Sequence, residues 1–132
     1  QTFKEERNMK FYVCEHCGNK VTFVDNKGVP VVCCGQKMEE LVPNTTDAAV
    51  EKHVPVVALD GNVVSVTVGS VVHPMTEEHL IERIIVETTQ GYYVKNLEYT
   101  DTPTATYSLN QNEELVAVYE YCNLHGLWEY RV

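Results

Sequence analysis

Leu115-Val116-Ala117-Val118-Tyr119-Glu120-Tyr121-Cys122-Asn123-Leu124-His125-Gly126 is the stretch that decides how this chain folds. From Leu115 to Tyr121 bulky and β-branched residues fall on both faces of an extended segment, which reads as an inner strand of a sheet. A further strand is expected at Leu127–Val132, so Cys122 and His125 fall in the connection between two strands. A thiol and an imidazole are thereby held at the end of a β-layer, where side chains from several connections can meet.

The rest of this half repeats the pattern. Strands are expected near Val54–Leu59, Val63–Val68, Leu80–Thr88, Tyr92–Tyr99, Thr104–Leu109 and Glu114–Tyr121. Asp60-Gly61-Asn62 and Gln90-Gly91 are hairpin signals. Val64, Val66 and Val68 share one face with period two, while Ser65 and Thr67 point the other way. With Leu127–Val132 this makes seven short strands, which suggests a β-sandwich of immunoglobulin-like type. The polar stretch Pro43-Asn44-Thr45-Thr46-Asp47 reads as its link to what precedes. The expected domains are 1–41 and 42–132.

The first domain holds only short β-like stretches: Phe11-Tyr12-Val13, Val21-Thr22-Phe23-Val24 and, past the turn Asp25-Asn26-Lys27-Gly28, Val29-Pro30-Val31-Val32. So small a unit cannot bury enough apolar surface to be stable by itself, and a metal staple is expected. Cys14-Glu15-His16-Cys17-Gly18 supplies half of one. Two intervening residues let both sulfurs point at one ion, and Gly18 permits the tight turn. Cys33-Cys34-Gly35 supplies the other half, with contiguous cysteines that force a sharp turn. A Cys33–Cys34 disulfide is the competing reading. Four thiols at this spacing favour ligation. Tetrahedral sulfur accepts zinc or iron alike. His16 reads as an exposed loop residue, since four thiolates complete the shell.

The remaining cysteine, Cys122, shares the second half with His53, His73, His79 and His125, all at turn-like positions. His53 stands at the entrance to a strand, His73 precedes Pro74-Met75, and Thr76-Glu77-Glu78 before His79 reads as one helical turn. A single histidine of this kind is ordinarily a surface or hydrogen-bonded residue. Together they are five ligands, more than zinc takes. Four imidazoles and a thiolate suit a first-row redox metal, iron foremost. Four nitrogens in a plane with sulfur on the axis leave one position open, and an axial thiolate pushes electron density onto iron.

Composition narrows the function classes. The chain has 132 residues, 44% hydrophobic and 22% charged, with a net charge of −9. That charge argues against nucleic acid and anionic membranes as partners. Apolar runs are too short to cross a bilayer, and the polar start from Gln1 to Lys10 shows no signal peptide. Thiols at ligand spacing then point to a reducing cytoplasm.

The motifs together resemble the desulfoferrodoxins, two-iron superoxide reductases, over nearly the whole chain. The resemblance rests on Cys14 to Asn19 with Cys33-Cys34-Gly35, and on Asp47 to Pro55, which contains Glu51-Lys52-His53. It rests also on Val68 to Met75 around His73, on Glu78-His79, and on Tyr121 to Trp128. It implies a mainly β chain: a small desulforedoxin- or rubredoxin-like domain with an Fe(Cys)4 centre, then an immunoglobulin-like catalytic domain. Carried over by motif, Cys14, Cys17, Cys33 and Cys34 hold the first iron. His53, His73, His79 and His125 in the plane and Cys122 on the axis hold the second. The resemblance further implies a homodimer that takes electrons from rubredoxin or a similar small donor. It reduces superoxide to hydrogen peroxide without releasing dioxygen. Lys52, beside His53, is the candidate to steer the anion and to hold water for proton delivery. Glu51 is the candidate to occupy the open position on oxidised iron. Two other classes are kept open: an electron-transfer protein working through the four-cysteine centre alone, and a zinc-stapled interaction module.

Overall fold

The structure, a computed structural model, describes residues 9–132. Of the polar start, Gln1 to Lys10, only Met9 and Lys10 fall among the described residues. Two compact units meet at Val42 and Pro43.

The first unit is a three-stranded antiparallel sheet and one small hairpin. β1 (Phe11–Val13) lies between β2 (Lys20–Thr22) and β5 (Glu39–Leu41). β3 (Val32–Cys33) and β4 (Gln36–Lys37) form the hairpin. Its turn needs two consecutive left-handed residues, Cys34 at φ 54 and Gly35 at φ 76, which is how contiguous cysteines reverse the chain. Val29-Pro30-Val31, expected as part of a strand, carries no ladder. Pro30 lacks the N–H a central strand needs. β5 escaped the sequence reading because Glu39-Glu40-Leu41 has one apolar residue in three. Phe11, Cys14 and Met38 are the buried residues of this unit among those described. Three side chains are a small core, and one of them is a cysteine of the candidate metal set.

The second unit is a sandwich of two antiparallel sheets. One has the order β10 (Thr104–Ser108), β7 (Val63–Val68), β6 (Pro55–Asp60). The other has the order β12 (Gly126–Arg131), β11 (Leu115–Cys122), β8 (Ile81–Thr88), β9 (Gly91–Asn96). The short helix α1 (Val50–His53) precedes β6. Each expected strand of this half is present. Val64, Val66 and Val68 are sealed in the interior with Ile81, Ile84, Val86, Val118 and Cys122. β11 pairs with β8 on one side and β12 on the other and is buried on both faces, as its sequence requires. On its other face Tyr119 Oη donates to Glu87 Oε1 at 2.7 Å, and Arg131 donates to Tyr119 Oη at 3.1 Å.

Register gathers one pole of the sandwich. Pro55 at the start of β6 pairs with Val68 at the end of β7. Cys122 at the end of β11 faces Ile81 at the start of β8 and Gly126 at the start of β12. The connections carrying His53, His73, His79 and His125 therefore all lie at this end. Gly69 lets two of them meet. A Cβ there would come within 2.7 Å of the Glu51 carbonyl oxygen, a separation that real Cβ atoms do not tolerate. The Glu51 carbonyl also accepts from Val71 N at 3.0 Å and Ser70 Oγ at 3.2 Å, which ties α1 to the loop after β7.

Glu120 is fully buried in β11, and neither carboxylate oxygen has a hydrogen-bond partner. Burial pushes its pKa up to about 9 from 4.5. Between those values the folded chain holds a proton that the unfolded chain has released, so stability falls as pH rises through this range. The slope from this group approaches ~1.4 kcal/mol per pH unit at most. Glu120→Gln is expected to flatten the decline in thermal midpoint between pH 5 and pH 9. Equal slopes in parent and variant would show that the folded chain holds the carboxyl ionised.

Candidate metal centres

Cys14, Cys17, Cys33 and Cys34 bring their sulfurs within 4.8 Å of one another. Cys17 and Cys33 sulfurs are 3.7 Å apart, and those of Cys33 and Cys34 are 4.0 Å apart. A tetrahedron with metal–sulfur bonds of about 2.3 Å has edges of about 3.8 Å, so the spacing fits one ion. All four are free thiols, and the Cys33–Cys34 disulfide is not formed. The knuckle is built by backbone: Cys14 N donates to Asn19 O and Gly18 N to Cys14 O, both at 2.8 Å. Cys17 N points at Cys14 Sγ at 3.4 Å, and Asn19 N at Cys17 Sγ at 3.5 Å. Donation from the Cys17 backbone draws Cys14 down to about 6, while its neighbours' sulfurs hold Cys34 up at about 12. The cluster accepts one negative charge readily and resists more. A cation is what allows four thiolates together.

At the pole of the sandwich, His53, His79, Cys122 and His125 offer ligand atoms within 4.8 Å of one another. His73 joins through Nε2, 3.6 Å from Cys122 Sγ. Ring contacts run His53–His73 (4.7 Å), His73–His79 (4.5 Å), His79–His125 (5.2 Å) and His125–His53 (4.9 Å), every pair edge-on. The four imidazoles thus close a ring, with His53 across from His79 and His73 across from His125. The helical turn expected at Thr76-Glu77-Glu78 is not formed, and Glu77-Glu78-His79 is a bend. His79 and Thr76 bond each other's backbone there, His79 N to Thr76 O at 3.3 Å and Thr76 N to His79 O at 2.9 Å. This short closed loop leaves no room for a turn of helix.

Backbone carbonyls fix how these rings present themselves. His53 Nδ1 donates to Ala49 O at 2.7 Å, and His73 Nδ1 to Pro74 O at 2.6 Å. A carbonyl only accepts, so the proton sits on Nδ1 and the Nε2 lone pair faces inward. His53 Nε2 and His79 Nε2 are buried with no partner. His125 turns Nδ1 to Cys122 Sγ at 3.8 Å, the nitrogen a residue three places away in a tight turn can present. Trp128 braces one ring and one backbone: it stacks on His53 at 4.9 Å, and its Nε1 donates to the His125 carbonyl at 3.0 Å. Burial lowers the basicity of His53, of His79 and, to about 4, of His73. Burial thus disfavours the charged form of these three rings. Burial raises the Cys122 thiol, against the pull of the Leu124 and His125 backbone N–H groups. Buried lone pairs without donors are costly unless a cation takes them. Four nitrogens and one sulfur aimed at a common centre fit iron.

The net charge is not shared. Residues 43–132 carry thirteen acidic and four basic side chains, while residues 1–42 carry six of each, so the whole −9 belongs to the sandwich. Of its four cations, Arg83 pairs with Glu82, Arg131 with Glu129, and Lys95 donates to Thr104 O. Lys52 sits on α1 next to His53, and its positive charge depresses both His53 and His79. Glu51 is exposed, with its carbonyl rather than its carboxylate engaged. Trp128 was legible only as part of a motif. Its bracing role depends on register, which no spacing rule gives.

Fold and donor sets define a β-protein with two metal centres, one all-sulfur and one of imidazoles over a thiolate. A sequence profile described as desulfoferrodoxin matches residues 45–131. The chain is 43% identical to the desulfoferrodoxin of Nitratidesulfovibrio vulgaris, over 91% of this chain and 94% of that one. It is 44% identical to a desulfoferrodoxin homolog of Archaeoglobus fulgidus, over 92% and 95%. Among solved structures, the superoxide reductase of Treponema pallidum superposes with a TM-score of 0.79 at 35% identity, over 95% of this chain and all of that one. The chain belongs to the desulfoferrodoxin family, and its two donor sets match that family's two iron centres.

Trp128→Phe keeps a ring against His53 but removes the donor to His125 O. Iron in the second centre is expected to pass to a chelator about tenfold faster, with the absorption of the first centre unchanged. An unaltered release rate would leave Trp128 a packing residue only.

Proposed function

We propose that this chain is a superoxide reductase: one electron and two protons convert superoxide to hydrogen peroxide, with no dioxygen released. The observation that carries the reading is the closed ring of four imidazoles around a buried cysteine sulfur. Similarity to the Treponema pallidum superoxide reductase over 95% of this chain and all of that one supports it. His53, His73, His79, His125 and Cys122 would hold the reactive iron, and Cys14, Cys17, Cys33 and Cys34 the other, in domains 42–132 and 1–41. An iron ion held by these residues would supply the one-electron chemistry.

The side chains do the remainder. Four uncharged imidazoles and one thiolate would leave a bound ferrous ion with net positive charge, which would favour an anion. Two backbone N–H groups at Cys122 spread the charge of its thiolate. In the acidic sandwich Lys52 supplies the cation that draws the anion in and holds the water that delivers protons. Glu51, exposed beside Lys52 on α1, would be the carboxylate available to an oxidised iron and to product release. Electrons come from rubredoxin or a similar small donor. The working form is a homodimer, in a reducing cytoplasm that keeps the five cysteines as thiols.

Iron analysis with spectra before and after oxidation tests the reading. Two irons per chain and a new thiolate-to-iron band on oxidation are expected, with superoxide consumed and no dioxygen evolved. One iron confined to the cysteine cluster would instead indicate an electron-transfer protein. Lys52→Ile is expected to slow the bimolecular reaction in pulse radiolysis about tenfold and to weaken its salt dependence. A parent-like rate would remove Lys52 from steering. Glu51→Ala is expected to spare that first step and change the absorption of the oxidised centre. Coincident oxidised spectra would show that Glu51 is not a ligand.

A further inference from the structure

Asn123 follows Cys122 directly and is bonded to the loop that carries His79. Its Oδ1 accepts from Leu80 N at 3.0 Å, and its Nδ2 donates to Glu78 O at 2.9 Å. Its own N–H donates to Leu80 O at 3.2 Å. The partners are the residues on either side of His79. One orientation of the amide satisfies both side-chain bonds, whereas the flipped one sets oxygen against oxygen and N–H against N–H. The backbone N–H and C=O of His79 itself are occupied within its loop by Thr76. β8 begins only at Ile81, and the β11–β8 register shifts between Tyr121 and Cys122. The ladder is thus irregular where His79 must be placed, and the Asn123 bonds span that irregularity.

We propose that Asn123 is the positioning residue for His79: by gripping the peptide on both sides of it, Asn123 fixes the His79 imidazole relative to the Cys122 sulfur. The grip is made by the residue adjoining the sulfur ligand, so the two ligands move as one body. The inference rests on the ligand set given above, and it assigns a role to a side chain that touches neither metal nor substrate. Outer partners of this kind change metal retention by about 10- to 100-fold.

The test uses the iron-loaded chain with Asn123→Ala and Asn123→Asp. Both are expected to lose iron from the second centre to a chelator at least tenfold faster and to broaden its oxidised electron-resonance signal, with the four-cysteine absorption unchanged. Amide exchange in the metal-free chain supplies a second readout. Asn123→Ala should lose protection at Leu80 but not in β7. Asn123→Asp keeps the acceptor for Leu80, so it should retain that protection while setting a carboxylate against the Glu78 carbonyl. Parent-like iron release in a folded Asn123→Ala would overturn the proposal, as would a uniform loss of protection across the sandwich. If the parent itself holds no iron at the second centre, the function proposed above fails, and Leu80 exchange still decides whether the clamp exists.

Discussion

Everything at the pole of the sandwich depends on where two protons sit. The carbonyls of Ala49 and Pro74 take the Nδ1 protons of His53 and His73. Once they do, the inward nitrogens have only lone pairs to offer. Burial then keeps the rings neutral, and no donor within the described residues meets His53 Nε2 or His79 Nε2. A protein interior tolerates such a concentration of acceptors poorly. A metal ion relieves it, and the same arrangement that makes the pocket costly when empty makes it selective for a cation. Two backbone carbonyls thus settle the chemistry of a site to which they contribute no ligand.

The two centres stand in opposite relations to their surroundings. Among the described residues Phe11, Cys14 and Met38 are a slight core, so the first unit relies on its cluster for cohesion. The sandwich has a continuous apolar interior and is a complete fold on its own terms. It therefore carries costly chemistry: unpaired imidazole nitrogens, a raised thiol and a buried carboxyl toward one end of the sandwich. Stability supplied by the valine- and isoleucine-rich core offsets those local costs.

Much of this was legible in the sequence, for identifiable reasons. Period-two valines and tight turns carry enough signal to place the seven strands of the sandwich, because one face of each must be dry. Cysteine and histidine are scarce, so their concentration at turns reveals two donor sets. Other features depend on register or on distant neighbours. β5 is a strand only because β1 offers it an edge. The bend at His79 depends on a backbone bond to Thr76. Trp128, Asn123 and Glu120 look like an ordinary aromatic, a turn residue and a strand residue until pairing shows what each faces.

Gly69 shows how far the site extends beyond its ligands. It binds nothing, yet the carbonyl of Glu51 lies where its first side-chain carbon would be. Any other residue would wedge α1 away from the loop after β7, and His53 is the last residue of that helix. A survey of harmful variants that inspected only histidines and cysteines would pass over this position. Natural variation at Gly69 should accordingly be as restricted as at a ligand, for a reason of volume rather than chemistry.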